Sequence, residues 1–142
     1  MKRGWFAFLT FVALAGLGAL GSDKDDMKGT WRPESAEMAG AKFPEAVLKV
    51  MSLTLLDDTY KVAIGEQVDE GTVSLDPAKS PKAMDIKGVK GPNAGKTFPC
   101  IYELKDETLR ICHNLGGKDR PSEFKTEQDG KLFLVTCKRP KL

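Results

Sequence analysis

The feature that most constrains this chain is a series of short segments in which apolar and polar residues alternate. Residues 51–55 and 60–64 show the pattern clearly, and Asp57-Asp58 lies between them as a turn. Strict alternation predicts a strand with one buried face. Turn residues that recur at intervals of about eight to twelve positions are typical of an all-β domain.

The alternating segments predict eight or nine short strands and one short helix over residues 45–50. Because most links have hairpin length, and sheet edges must be covered, the strands favour a small antiparallel up-and-down β-barrel over a two-sheet sandwich. Pro33 predicts an edge or a bend in the first strand, and Gly71 predicts a bulge or a sharp bend. The predicted strands cover residues 30–37, 51–55, 60–64, 67–75, 82–87, 98–104, 108–113, 122–127 and 131–138.

Residues 1–21 have the layout of a cleavable signal peptide. Lys2 and Arg3 precede an uncharged run from Trp5 to Leu20, and small residues flank Leu20 before the polar segment 22–26. A membrane anchor is the alternative, but the run is shorter than the about 20 residues of a bilayer span. We therefore expect a secreted or periplasmic barrel domain over 22–142, not membrane-spanning after cleavage, in which the acidic segment 23–26 is a solvated tail.

Charge and cysteine content exclude several classes of partner. Without Lys2 and Arg3 the chain has 20 basic and 20 acidic residues, so it lacks the basic excess that nucleic acid binding requires. The single histidine, His113, and the three cysteines fit no zinc spacing. We predict no metal, no cofactor and no nucleic acid partner.

The hairpin of residues 98–113 indicates how the cysteines are oriented. Pairing its apolar faces sets Tyr102 beside Ile111, which places Cys100 and Cys112 on opposite faces of the sheet. Cys137 on the last strand is then the expected partner of either Cys100 or Cys112, and of these two pairings we choose a disulfide between Cys112 and Cys137. Three buried, reduced thiols remain the alternative.

Catalytic motifs are weak. The segment 90–97 resembles a phosphate-binding loop, but only three residues separate Gly91 from Gly95-Lys96-Thr97 and a strand follows instead of a helix. A nucleophilic site would need His113, which we interpret as a polar residue at a strand end near the barrel rim. Neighbouring carboxylates such as Asp57-Asp58 fall at turns and are expected to be solvated. We predict that the protein is not an enzyme.

Several segments resemble a group of exported planctomycete proteins with a lipocalin-like domain of uncharacterised function. The similarity covers nearly the whole of residues 22–142. The segments that carry it are Gly29-Thr30-Trp31, Gly71-Thr72-Val73-Ser74-Leu75-Asp76-Pro77, Pro81-Lys82-Ala83-Met84-Asp85-Ile86, Gly91-Pro92-Asn93-Ala94-Gly95-Lys96-Thr97, Ile101-Tyr102-Glu103-Leu104, Thr108-Leu109-Arg110-Ile111-Cys112 and Arg120-Pro121-Ser122-Glu123-Phe124.

The resemblance implies a structural role for the Gly-x-Trp triplet at one end of the barrel. By analogy with lipocalins, Gly29 opens the first strand and Trp31 packs across the barrel base under Arg139 or Lys138. A small hydrophobic ligand would then bind at the other end, against interior positions of the strands. The candidate ligand-binding residues are Leu55, Val62, Ile64, Tyr102, Ile111 and Phe133.

A second function is compatible with the same fold. A barrel-type inhibitor, or an interaction module of the cell envelope, would contact another exported protein through its loops. The loops in question are residues 88–97 and 115–121.

Overall fold

The computed structural model describes residues 22–140, which form nine strands and two short helices. The predicted signal segment 1–21 lies outside the described residues. The strands are β1 (Gly29–Met38), β2 (Ala41–Lys42), β3 (Met51–Leu56), β4 (Thr59–Ile64), β5 (Gln67–Asp76), β6 (Lys82–Lys90), β7 (Thr97–Lys105), β8 (Thr108–Asn114) and β9 (Leu132–Lys138), and the helices are α1 (Asp23–Met27) and α2 (Glu45–Leu48).

The strands close into a barrel. From β3 to β9 each strand pairs antiparallel with the next, and β1 pairs with both β3 and β9. The two-residue strand β2 extends from the end of β1 outside the ring. The predicted all-β, up-and-down barrel is therefore confirmed, with eight strands in the closed ring.

Most predicted strands lie where the alternation placed them, and the pairing of Tyr102 with Ile111 is confirmed. The strand predicted over 122–127 is wrong, because this segment runs outside the barrel without sheet pairing. Its polar groups bond elsewhere: the Thr126 hydroxyl accepts from the Gly40 amide at 3.0 Å, and the Lys125 carbonyl faces the Cys112 thiol at 3.6 Å.

Both predicted irregularities in the strands are present. The register of β1 against β9 shifts between Pro33 and Ser35, and that of β5 against β6 shifts between Glu70 and Gly71. A Cβ atom at Gly71 would lie 2.0 Å from the carbonyl oxygen of Lys87, so no larger residue fits without moving the backbone. These shifts let the sheet bend enough to close.

One end of the barrel is sealed by α1, and we call it the closed end. Trp31 is fully buried there, and its indole Nε1 donates to the Met27 carbonyl at 2.9 Å. The Arg139 guanidinium carbon lies 4.3 Å from the centre of the Trp31 ring, and Arg139 Nη1 donates to the Lys28 carbonyl at 2.8 Å. This is the Trp31–Arg139 contact that the resemblance implies, and Gly29 leaves room for the arginine beside it.

The segment 23–26 is not a solvated tail, and the barrel therefore has a second short helix that the pattern did not predict. The Ser22 side chain caps α1 by accepting from the Asp25 amide. Asp23 accepts hydrogen bonds from the Tyr102 hydroxyl at 2.7 Å and from Lys82 Nζ at 2.9 Å. Burial alone would raise the pKa of Asp23, but these two hydrogen bonds and the Lys82 charge outweigh it and hold the pKa below its usual value.

The predicted disulfide between Cys112 and Cys137 is wrong, and all three cysteines are free thiols. Cys137 pairs across the sheet with Leu109, three positions from Cys112 on β8. Because side chains alternate between faces, Cys137 points into the barrel and Cys112 points outward, so the two sulfur atoms cannot meet. Cys100 also lies on the opposite face from Cys112, as the hairpin pairing predicted.

Candidate functional site

An apolar cavity of ≈ 280 Å³ fills the half of the barrel away from α1, which we call the open end. Five of the six candidate ligand-binding residues line it, namely Leu55, Val62, Ile64, Ile111 and Phe133. The sixth, Tyr102, also faces the interior but lies at the closed end, where Asp23 holds its hydroxyl. The alternation thus identified the inward face correctly, but it carried no information on depth along the barrel.

Large apolar side chains from every strand of the ring form the wall. Pro33 and Met38 come from β1, and Met84 and Ile86 come from β6 on the other side. The polar side chains of Tyr60, Asp69, Asn93 and His113 line the cavity. Ser52 also borders it, but this residue alternates with the inward Met51 and Leu53, so its side chain points to the outer face. Among the residues the structure describes, no lysine or arginine lines it.

Three aromatic rings stack along one side of the cavity. The Phe133 ring lies between the other two, with centroids 5.5 Å from Phe43 and 5.2 Å from His113. Phe43 comes from the connection between β2 and α2, which folds over the rim. The β1–β3 connection therefore helps to cover the open end.

His113 is held as a neutral ring in this wall. Its Nδ1 lies 3.2 Å from the Phe133 carbonyl oxygen. Since a carbonyl can only accept, Nδ1 must carry the proton, and the lone pair is on Nε2. Burial among apolar side chains lowers the pKa of His113 to about 4, against which the hydrogen bond to Phe133 has a smaller effect. His113 lies two positions after Ile111 on β8, so its side chain points to the same inward face and lines the cavity.

A buried carboxylate ties one loop to the wall. Asp69 accepts from the Tyr60 hydroxyl at 3.0 Å, from Asn93 Nδ2 at 2.9 Å and from the Asn93 amide at 3.3 Å. Burial and then the Asp69 carboxylate raise the pKa of the Tyr60 hydroxyl. Asn93 belongs to the 91–96 loop between β6 and β7, so Asp69 fixes that loop against the cavity.

Glycines allow the 91–96 loop to approach so closely. Gly91 has a φ of +101°, and a Cβ there would lie 2.5 Å from the Val68 carbonyl oxygen. At Gly88 a Cβ would lie 2.0 Å from the Asn93 carbonyl oxygen. The segment that resembles a phosphate-binding loop is therefore a cover on the barrel rim. Sequence reasoning gave Asp69 no role, because no pattern in the sequence connects it with Asn93.

A further arginine fastens the segment after β8 to the barrel, and sequence reasoning gave it no role. Arg120 Nη1 donates to the carbonyls of Met84 at 3.1 Å and Cys100 at 2.9 Å, and Nη2 pairs with Asp85 at 2.8 Å. Outside β8, the Arg110 guanidinium carbon lies 4.1 Å from the centre of the Phe124 ring. Residues 120–124 thus pack on the outer face, whereas Leu115, directly after β8, lines the cavity.

The three cysteine thiols and the neighbouring carboxylates of Asp57 and Asp58 do not have the environment of reactive groups. Burial raises the pKa of Cys137 to about 12 and raises the pKa of Cys100 and Cys112 as well, so the thiols stay protonated. Asp57 and Asp58 are exposed and pair with Lys28 and Lys24. Within residues 22–140, no three His, Cys, Asp or Glu side chains are placed to hold a metal ion.

A second hollow, of ≈ 320 Å³, lies beside α1 at the closed end. Asp23, Lys24, Asp57 and Asp58 line it, and Lys24 Nζ lies 2.6 Å from an Asp58 oxygen. Because the side chains of Lys24, Asp57 and Asp58 are exposed, charged groups border this hollow where it opens to the surface. We therefore place the candidate site in the apolar cavity.

Comparison with known proteins adds no assignment. No protein-family model, no curated protein and no solved structure matches the chain. The described residues contain no helix long and apolar enough to cross a membrane. The interpretation of the site depends on its own geometry.

Replacing Asp69 with alanine should free the 91–96 loop. The Tyr60 hydroxyl and the Asn93 amide would lose their acceptor, so we expect the free energy of unfolding to fall by about 1–3 kcal/mol. Amide hydrogen exchange at residues 91–96 should rise at the same time. Tyr60→Phe is the matched control, because it removes one donor and leaves Asn93 bonded; equal loop exchange in both variants would contradict the role of Asp69.

Proposed function

We propose that this protein is a binding module, not an enzyme, and that it holds a small apolar molecule inside the barrel. The observation that carries the proposal is the ≈ 280 Å³ cavity, lined almost entirely by apolar side chains. A barrel of eight strands is just wide enough for its own side chains to fill it. Here the side chains leave ≈ 280 Å³ open, which is close to the lower limit of ligand pockets, about 300 Å³.

The size of the cavity limits the ligand. A cavity of about 150 Å³ is enough for one benzene molecule. A space of ≈ 280 Å³ therefore suits a molecule of one or two rings, or a short alkyl chain, that lies wholly inside the barrel. The inward fold of the 91–96 loop keeps the space small.

We also propose that the barrel works outside the cytoplasm. The basic start, apolar run and small residues of 1–21 support export and cleavage after Gly21. A chain that begins at Ser22 would keep the whole of α1 and its cap. Mass spectrometry of the protein from its source should find this N-terminus; a full-length chain would contradict the proposal.

Binding can be tested with naphthalene, a two-ring probe without polar atoms. We expect a Kd in the range of roughly 10 µM to 1 mM, as small apolar ligands of this size allow. Methyl NMR during the titration should show the largest shifts at Val62, Ile111 and Val135. Native mass spectrometry of the protein purified from its source should in addition reveal a co-purified small molecule.

A matched pair of variants separates the cavity from the surface. Val62→Phe puts a ring into the cavity and should weaken naphthalene binding at least about 5-fold. Leu56→Phe adds a ring on the exposed face of the adjacent strand and should leave the Kd unchanged. No saturable binding to the wild-type protein, or equal binding by both variants, would overturn the proposed function. In that case contact with another exported protein through the loops would become the better hypothesis.

A further inference from the structure

His113 presents a hydrogen-bond acceptor to the cavity. His113 Nδ1 carries the proton and uses it on the Phe133 carbonyl, so its Nε2 offers only a lone pair. Nε2 has no hydrogen-bond partner among residues 22–140. It is not sealed in protein either, since the one buried side-chain nitrogen or oxygen without a partner there is Arg110 Nε.

The charged side chain at the cavity, Asp69, is negative. The Asp69 carboxylate reaches the wall, and its three bonded donors, from Tyr60 and Asn93, are all neutral groups. No described lysine or arginine lines the cavity to balance a second anion. An apolar ligand with a carboxylate would therefore be desolvated beside Asp69 with no cation to pair with.

The geometry points to a ligand that carries a neutral hydrogen-bond donor, and we propose a small aromatic or aliphatic alcohol whose hydroxyl donates to His113 Nε2. This inference depends on the proposed function, because it assigns chemistry to a ligand in the same cavity. The apolar wall takes the body of the molecule, and Nε2 fixes the position of its hydroxyl. Fatty acids and other carboxylates are excluded.

Three probes of the same ring system test the proposal at pH 7.5. A single neutral hydrogen bond should make 2-naphthol bind about 2- to 12-fold more tightly than naphthalene. 2-Naphthoate should bind at least about 10-fold more weakly than naphthalene, since its charge would be buried without a partner. Equal affinity for 2-naphthol and naphthalene, or tighter binding of 2-naphthoate, would overturn the inference. Naphthalene binding alone would still stand as support for the proposed function.

Two variants test whether His113 Nε2 causes the affinity advantage of 2-naphthol over naphthalene. His113→Phe keeps an aromatic ring in the wall but removes the acceptor, so 2-naphthol should lose its advantage over naphthalene. Leu53→Ala enlarges the cavity without touching an acceptor, so it should change the affinity for both probes in parallel and keep their ratio. An advantage that persists in His113→Phe would assign the hydroxyl to another group.

A measurement on the unmodified protein covers the case in which His113→Phe does not fold. The chain has a single histidine, so ¹⁵N labelling of histidine gives one Nε2 signal. The signal should move toward the hydrogen-bonded range when 2-naphthol is added, and move much less with naphthalene. Identical responses to the two probes would contradict the contact.

Discussion

Replacing Trp31 with alanine should lower the free energy of unfolding by about 3–5 kcal/mol, the usual cost of removing a large aromatic side chain from a core. Trp31 is fully buried, and its ring also supports the Arg139 guanidinium at 4.3 Å. The alanine would leave a void between α1 and the strands. It would also leave the Met27 carbonyl without its indole donor.

Urea unfolding followed by far-UV circular dichroism measures this loss, because the substitution removes the single tryptophan of residues 22–142. Trp31→Phe keeps most of the ring and should lose less, which gives a graded result if the alanine variant does not fold. The control is Leu56→Ala, whose side chain is 55% exposed and which should change stability by no more than about 0.5 kcal/mol. A loss below about 1 kcal/mol for Trp31→Ala would contradict its role at the closed end.

Lowering the pH from 7.5 to 5 should destabilise the protein through His113. The pKa of this ring is about 4 in the folded barrel and 6.5 as the ordinary value. Between these pH values the unfolded chain binds a proton that the folded chain excludes. Stability is therefore complete above pH 6.5 and falls as the pH drops toward 4, by about 2 kcal/mol at pH 5 and about 3 kcal/mol in full.

Urea unfolding of the wild-type protein and of His113→Phe at both pH values isolates this effect. Carboxylates that begin to titrate near pH 5 contribute equally to both proteins and cancel in the comparison. The wild-type protein should lose roughly 2 kcal/mol more than the variant. Equal losses would show that His113 becomes protonated inside the barrel without cost.

The sequence predicted the ring of strands well because strand alternation and hairpin turns are local signals. The register of β7 and β8 follows from one pairing of apolar faces, and the bulge at Gly71 follows from a glycine in a strand. The strand predicted over 122–127 is wrong because a distant contact, and not a local pattern, decides where this segment lies. Its alternation is real, but Phe124 packs on Arg110 outside the barrel, a contact between distant positions that no local pattern shows.

The sequence predicts which side chains of the candidate site point into the barrel, but not where the cavity lies or which polar contacts it has. Alternation shows that Leu55 and Tyr102 both point inward, yet only the assembled barrel separates the cavity from the closed end. The polar groups depend on contacts across the fold. The bond between Asp69 and Asn93 spans 24 positions, and that between His113 and the Phe133 backbone spans 20.

The pairing of β1 with β9 has a consequence for how the chain can be made. The ring joins the first long strand to the last, so every partial chain that lacks β9 exposes two unpaired sheet edges and an open core. Contacts of such long sequence separation form slowly. A chain made from its N-terminus therefore cannot close the ring until β9 has left the ribosome.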